Sequence, residues 1–129
     1  MVQNIYSVRL IQGLLNRASS KQITISGRNF VLEVMMFSNG CIAVVSEGEA
    51  SRLGSISLSL KGESSTSRPS PIIPGRLNES PIADILTEAL TTVTSGILMV
   101  SYFAEKELLG GDLKEMVDQL RNIISERVK

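Results

Sequence analysis

The chain has 129 residues with thirteen basic and thirteen acidic side chains, so its formal net charge is zero, and 43% of it is hydrophobic. That is the length of one domain with a packed core, and a neutral balance argues against a general nucleic-acid binder. It has no His and one Cys, which excludes a disulfide framework within the chain, a Cys/His zinc site and any scheme with a His base. A lone Cys suits a reducing compartment, and no apolar run approaches the ~18 residues of a membrane span.

Charge is uneven along the chain. Residues 1–32 hold Arg9, Arg17, Lys21 and Arg28 and no acid. An organelle transit peptide can look this way, but a basic face is the simpler reading. No secretory signal is visible, because residues 2–15 are interrupted by polar side chains throughout. Val8, Ile11, Leu14 and Leu15 fit a helix. Residues 5–11 also fit an extended chain, and a strand-rich start is slightly preferred.

Strand periods follow. Residues 23–26 alternate, and Gly27-Arg28-Asn29 marks a turn. Residues 31–37 are apolar except for Glu33. Asn39-Gly40 is a strong hairpin signal, and 41–45 runs back as the paired strand. Residues 54–60 alternate strictly. The expected arrangement has Ile56, Leu58 and Leu60 inward and Ser55, Ser57 and Ser59 outward, on a strand near an edge.

Composition then changes. From Gly62 to Pro81, 12 of 20 residues are Gly, Ser, Thr or Pro, and all four prolines lie there. These residues interrupt regular structure, so 62–80 reads as a long flexible loop inside a single domain spanning 1–129. Ile72, Ile73 and Leu77 are its sizeable apolar side chains and could dock one portion of it. Ser80-Pro81 reads as N-cap and first helical residue. Ile82, Ile85, Leu86, Ala89, Leu90 and Val93 follow at helical spacing, and Gly96 is placed to end that helix in a left-handed conformation. Residues 97–103 form a strand apolar on both sides. Gly110-Gly111 breaks the chain, and Asp112 with Glu115 resembles a capping box. Leu113, Met116, Val117, Leu120, Ile123 and Ile124 then form the stripe of a last helix, with Arg127 and Lys129 complementing its dipole.

Chemistry is hard to place on these elements. No phosphate loop is present, and Gly110-Gly111 reads as a helix-entry turn. Asp84 and Glu88 lie four apart, but a solvated helix face explains them better than acid–base work or a divalent ion. Cys41 lacks an activating base and reads as a small buried hydrophobe. Ser70-Pro71 and Ser80-Pro81 match proline-directed phosphorylation sites, and Asn78-Glu79-Ser80 matches a glycosylation acceptor; neither match is specific. The expectation is a protein that is not an enzyme, with no cofactor and no metal.

One pattern asks for more than a core. Residues 31–37, 97–103 and much of 41–45 are apolar on both faces, as in sheets covered on both sides. Two helices cover one face, so the N-terminal segment or another subunit must cover the other. On the last strand Leu98, Val100 and Tyr102 share one side, and Ile97, Met99 and Phe103 the other. Met35, Phe37, Leu98, Val100 and Tyr102 are the candidate partner-interface residues. The expected fold is α+β: antiparallel strands and hairpins, then helix–strand–helix with both helices on one face of a four- or five-stranded sheet.

With Glu33-Val-Met-Met-Phe-Ser-Asn-Gly-Cys-Ile-Ala-Val-Val-Ser46 and Ile97-Leu-Met-Val-Ser-Tyr-Phe103 in this element order, residues 22–125 resemble the small proteasome assembly chaperones, the third and fourth numbered members and their fungal counterparts. The Val-Ser-Tyr and Val-Met words look most like the fourth. The 62–80 loop and the first twenty residues depart from the vertebrate pattern. The resemblance implies a non-enzymatic chaperone subunit that forms a heterodimer with a related small subunit and holds proteasome α-subunits while the α-ring assembles. It implies a cytoplasmic setting, with the nucleus as a second compartment, and no nucleic-acid or membrane partner. The alternative is a roadblock- or longin-like dimeric scaffold in GTPase or trafficking control, which typically carries a long helix between central strands.

Overall fold

The computed structural model describes residues 18–60, 70–73 and 79–128. Along the chain these form β1 (Ala18–Ile25), β2 (Arg28–Phe37), β3 (Gly40–Glu47), β4 (Ser55–Leu60), β5 (Ser70–Ile73), α1 (Glu79–Leu90), β6 (Ile97–Phe103) and α2 (Gly110–Val128). The strands make one six-stranded sheet in the order β1-β2-β3-β6-β4-β5. β3 and β6 run parallel, and every other pair is antiparallel. α1 lies over β4 and β6, α2 meets β1 and β2, and the helices touch each other. The α+β fold with two helices on one sheet face is as expected, with one strand more.

Two hairpins start the fold. Ser26 and Gly27 turn β1 into β2 with φ of 50° and 78°, the paired positive values that suit the twist of a two-residue hairpin. The turn thus sits one residue earlier than Gly27-Arg28-Asn29, and Arg28 and Asn29 belong to β2. Ser38 and Asn39 turn β2 into β3, with Gly40 already paired to Phe37. The Asn-Gly signal locates this hairpin for a different reason. A Cβ on Gly40 would sit 2.2 Å from the Ile97 carbonyl oxygen, so the glycine permits the close approach of β6.

β4 lies near an edge of the sheet, as expected, with β5 pairing outside it. Three expectations are corrected. Ser70 to Ile73, expected within the 62–80 loop, forms that fifth strand; residues 61–69 and 74–78 lie outside the described part. α1 already includes Glu79, ahead of the Ser80-Pro81 start. Asp112 is not an N-cap either: α2 begins at Gly110, and the Asp112 carboxylate accepts a 2.6 Å bond from the Ser26 hydroxyl in the first hairpin turn.

Gly96 does have the expected positive φ, 77°, but not as a helix cap. α1 ends at Leu90, and Gly96 leads into β6 so close to the Asn39 carbonyl oxygen that a Cβ would meet it at 2.2 Å.

The core lies between helices and sheet. Phe30, Leu32, Val34, Cys41, Ala43, Val45, Leu98, Val100 and Tyr102 point up from the strands, and Ile82, Leu86, Leu90, Met116, Leu120 and Ile124 point down from the helices. The α2 stripe matches the sequence reading. On α1, Ala83 and Thr87 are buried while Ile85 is 46% exposed, so the helix is rotated from the expected stripe.

Candidate partner-binding face

Side chains alternate across a strand, so the residues between the core positions define the opposite face of the sheet. β2 contributes Val31, Glu33, Met35 and Phe37, and β3 contributes Ile42, Val44 and Ser46. β6 contributes Ile97, Met99, Ser101 and Phe103, and β4 contributes Ile56, Leu58 and Leu60. The register aligns them in rows: Met35 with Ile42, Ile42 with Met99, and Met99 with Leu58.

This face has two halves. At one end residues 48–54, between β3 and β4, fold over it. The Arg52 amide donates to the Ser46 hydroxyl at 2.9 Å, Ser46 donates to the Ala50 carbonyl at 3.1 Å, and the Gly54 amide donates to the Ser101 hydroxyl at 3.0 Å. Ser51 donates to Glu33, and the Arg52 guanidinium lies 5.5 Å from the centre of the Phe103 ring. Beneath this cover Val31, Ser46, Ser101 and Phe103 are buried. At the other end Met35, Ile42, Val44, Met99, Ile56 and Leu58 are half-buried, and Phe37, Ile97 and Leu60 are 36%, 41% and 56% exposed. A shallow depression of ≈ 360 Å³ lies between β1, β2 and β3, lined by Ala18, Ser20, Glu33, Met35, Ile42 and Val44 among others.

The five expected interface residues are not together. Met35 and Phe37 lie on the open face. Leu98, Val100 and Tyr102 lie under the helices, each at most 1% exposed, so they belong to the core. Ile97 and Met99, the other side of the same strand, are on the open face instead. The expected orientation of β4 is also reversed. Ser55, Ser57 and Ser59 are at most 1% exposed and face α1, while Ile56, Leu58 and Leu60 extend the open apolar face. The reason is steric and polar. Serine is small enough for α1 to pack closely on β4, and Ser57 donates a 2.8 Å bond to Asp84 on that helix. That bond gives half-buried Asp84 a structural task, and Glu88 is exposed to solvent, so the two do not form a carboxylate pair.

The remaining polar groups brace the fold. Arg28 donates twice to Glu47, at 2.6 Å and 3.1 Å, and also reaches the carbonyls of Lys106 and Glu107, while the Glu105 amide donates to Glu47. The group joins β2 and β3 to the segment between β6 and α2. The Arg28 hydrogen bonds hold the Glu47 carboxyl below its usual range. Cys41 is 2% exposed, and burial pushes its thiol up to about 11, which removes nucleophilic character at neutral pH. Among the described residues no cluster of three His, Cys, Asp or Glu side chains could hold a metal ion, and no helix is long and apolar enough to cross a membrane. What the described surface offers is an open apolar area on one half of the sheet.

No family model and no curated protein matches this sequence. Among solved structures, the fold is similar to a chain in the crystal structure of a novel chaperone complex for yeast 20S proteasome assembly. The TM-score is 0.67 at 10% sequence identity, over 88% of this chain and 99% of that one. At that identity the likeness is one of fold.

Proposed function

We propose that this chain is a non-enzymatic chaperone subunit. It pairs with a related small subunit through the open half of its sheet and holds proteasome α-subunits while the core-particle α-ring assembles, in the cytoplasm and the nucleus. The observation that carries this reading is the apolar area of Met35, Phe37, Ile42, Ile97, Met99 and Leu60 left open beside the half closed by residues 48–54. The fold it shares with a chain of a proteasome assembly chaperone complex supports the choice of cargo. The pairing half of the proposal rests on the surface, and the cargo half on the likeness.

Affinity purification of the full chain from native cells, followed by mass spectrometry, tests both halves. A related small subunit and proteasome α-subunits should be recovered, and Met99→Asp should lose the small subunit. A chain that is monomeric at high concentration and recovers neither would sink the proposal. Recovery of a small GTPase in their place would favour the dimeric-scaffold alternative.

A further inference from the structure

Charge on the open face of the sheet is one-sided. Side chains alternate along each strand, and among the described residues Glu33 is the charged side chain that the strands present on this face. It stands in a row with Ser20 on β1 and Val44 on β3. It is half-buried, and it forms the acidic rim of the ≈ 360 Å³ depression whose other walls include Met35, Ile42 and Val44. The Ser51 hydroxyl donates to its carboxylate. A carboxylate offers about four acceptor sites, and among the described residues no lysine or arginine forms an ion pair with this one.

That arrangement separates one kind of partner from another. Two copies of this chain set face to face bring a pair of Glu33 carboxylates and, from the described strands, no cation. Arg52, the basic side chain of the 48–54 crossing, lies over the Phe103 ring instead. Each carboxylate would lose water against apolar surface, and an unpaired charge in such a place opposes association. A different subunit with a lysine or arginine at the facing position meets no such bar. The aliphatic stem of that side chain suits the walls of Met35, Ile42 and Val44. Its charged head would then meet the carboxylate at the rim in a charge-assisted hydrogen bond.

We propose that Glu33 selects the pairing partner. It takes a lysine or arginine from a different subunit, whose stem fills the depression, and it holds a second copy of this chain off the same face. This deepens the pairing reading and rests on it, adding the chemistry that the partner's face must carry.

The test has one arm on the purified full chain alone and one on the pair. Sedimentation equilibrium compares wild type, Glu33→Gln and Glu33→Lys. Glu33→Gln removes the charge, and its amide oxygen still accepts from Ser51. It should self-associate more tightly than wild type by about tenfold or more. Glu33→Lys keeps a charge at the same place and should associate no more tightly than wild type. In affinity purification of the full chain from native cells, Glu33→Lys should recover less of the small subunit by about tenfold or more. Ser51→Ala breaks the same hydrogen bond without changing the charge and should recover it at the wild-type level. Circular dichroism checks that each variant is folded, and if Glu33→Lys is not, Glu33→Gln alone decides. The proposal falls if Glu33→Gln associates no more tightly than wild type, or if Glu33→Lys associates as tightly as Glu33→Gln. It falls as well if wild type is already a stable dimer at micromolar concentration, since a second copy then occupies the face. It falls alone, with the pairing reading intact, if Met99→Asp loses the small subunit and Glu33→Lys retains it. If wild type recovers no small subunit, both fall.

Discussion

The two faces of the sheet are built from similar residues and do different work. On β6, Leu98, Val100 and Tyr102 alternate with Ile97, Met99, Ser101 and Phe103. The first set is at most 1% exposed beneath two helices, while Ile97 on the other side is 41% exposed and Met99 is half-buried. Hydrophobicity does not separate them. The separation comes from what the rest of the described residues place on each side: two helices on one, and on the other a seven-residue crossing, 48–54, held by serine hydroxyls and closing one end. An apolar strand face therefore reports that something covers it, not what.

The sharpest way to break the comparison is to charge adjacent residues of β6. Val100→Asp puts a carboxylate at a position with no exposure. An unpaired buried charge costs about 3–5 kcal/mol, a large part of a small domain's stability, so this variant should be largely unfolded by circular dichroism. Met99→Asp, one residue away, should keep the fold, with a loss of about 1 kcal/mol or less in denaturant titration. Similar losses at both positions would mean that the open half is covered as firmly as the core.

The same strands show what was legible in sequence. The two-faced apolar pattern, both helices and the two early hairpins were readable, because each rests on local period or turn chemistry. Which face the helices take was not. Both sides of β2 and β6 satisfy the same hydrophobic rule, and the decisive clue, β4, points the opposite way from polarity. Its serines are buried because they let α1 approach and because Ser57 reaches Asp84. The fifth strand was obscured for a related reason. Ser70-Pro71 sits in a run of loop-forming residues, and an edge strand tolerates proline where a central one does not. The candidate interface inherited the ambiguity: Met35 and Phe37 fell on the open face, and Leu98, Val100 and Tyr102 on the closed one.

Next in size is the junction where both faces depend on one atom's absence. A Cβ on Gly40 would lie 2.2 Å from the Ile97 carbonyl oxygen, and backbone there can yield only by shifting the β3–β6 ladder. Gly40→Ala should cost about 2–3 kcal/mol and disturb both faces at once, seen as faster amide exchange along β6. A cost near zero would show that the parallel pair is loosely held at its start.

A smaller effect belongs to the brace between β2, β3 and the approach to α2. Arg28 and Glu47 keep only 19% and 14% of their side-chain exposure. Arg28→Met leaves Glu47 and two carbonyls short of a donor and should cost about 2 kcal/mol. Its pH signature is specific. The folded Glu47 pKa is lowered, with the Arg28 hydrogen bond as the leading cause. Between that value and the unfolded ~4.3 the unfolded chain binds more protons, so stability rises with pH. The contribution is present above about pH 4.3 and is lost as pH falls through the folded pKa. Stability measured from pH 6 down to pH 3 should fall more steeply in wild type than in Arg28→Met. Parallel curves would place the brace outside the stabilising interactions.

The mildest probe leaves stability nearly unchanged and reads the two faces through one atom. Cys41 is the chain's single cysteine and points into the core, whereas Ile42 beside it points to the open face. Burial moves the Cys41 thiol from 9.0 to about 11, which lowers its thiolate fraction near pH 8 by roughly a hundredfold, since two pKa units are two decades. Alkylation runs through the thiolate, so native Cys41 should react with iodoacetamide at least a hundredfold more slowly than the unfolded chain does. Cys41→Ala/Ile42→Cys moves the thiol one residue along the strand and across the sheet. It should react at a rate set by whatever covers the open half: fast when the patch is bare, slow when a partner lies on it. A fast reaction at Cys41 in the native wild type would mean that the helices open readily, and the contrast between the two faces would then be one of degree.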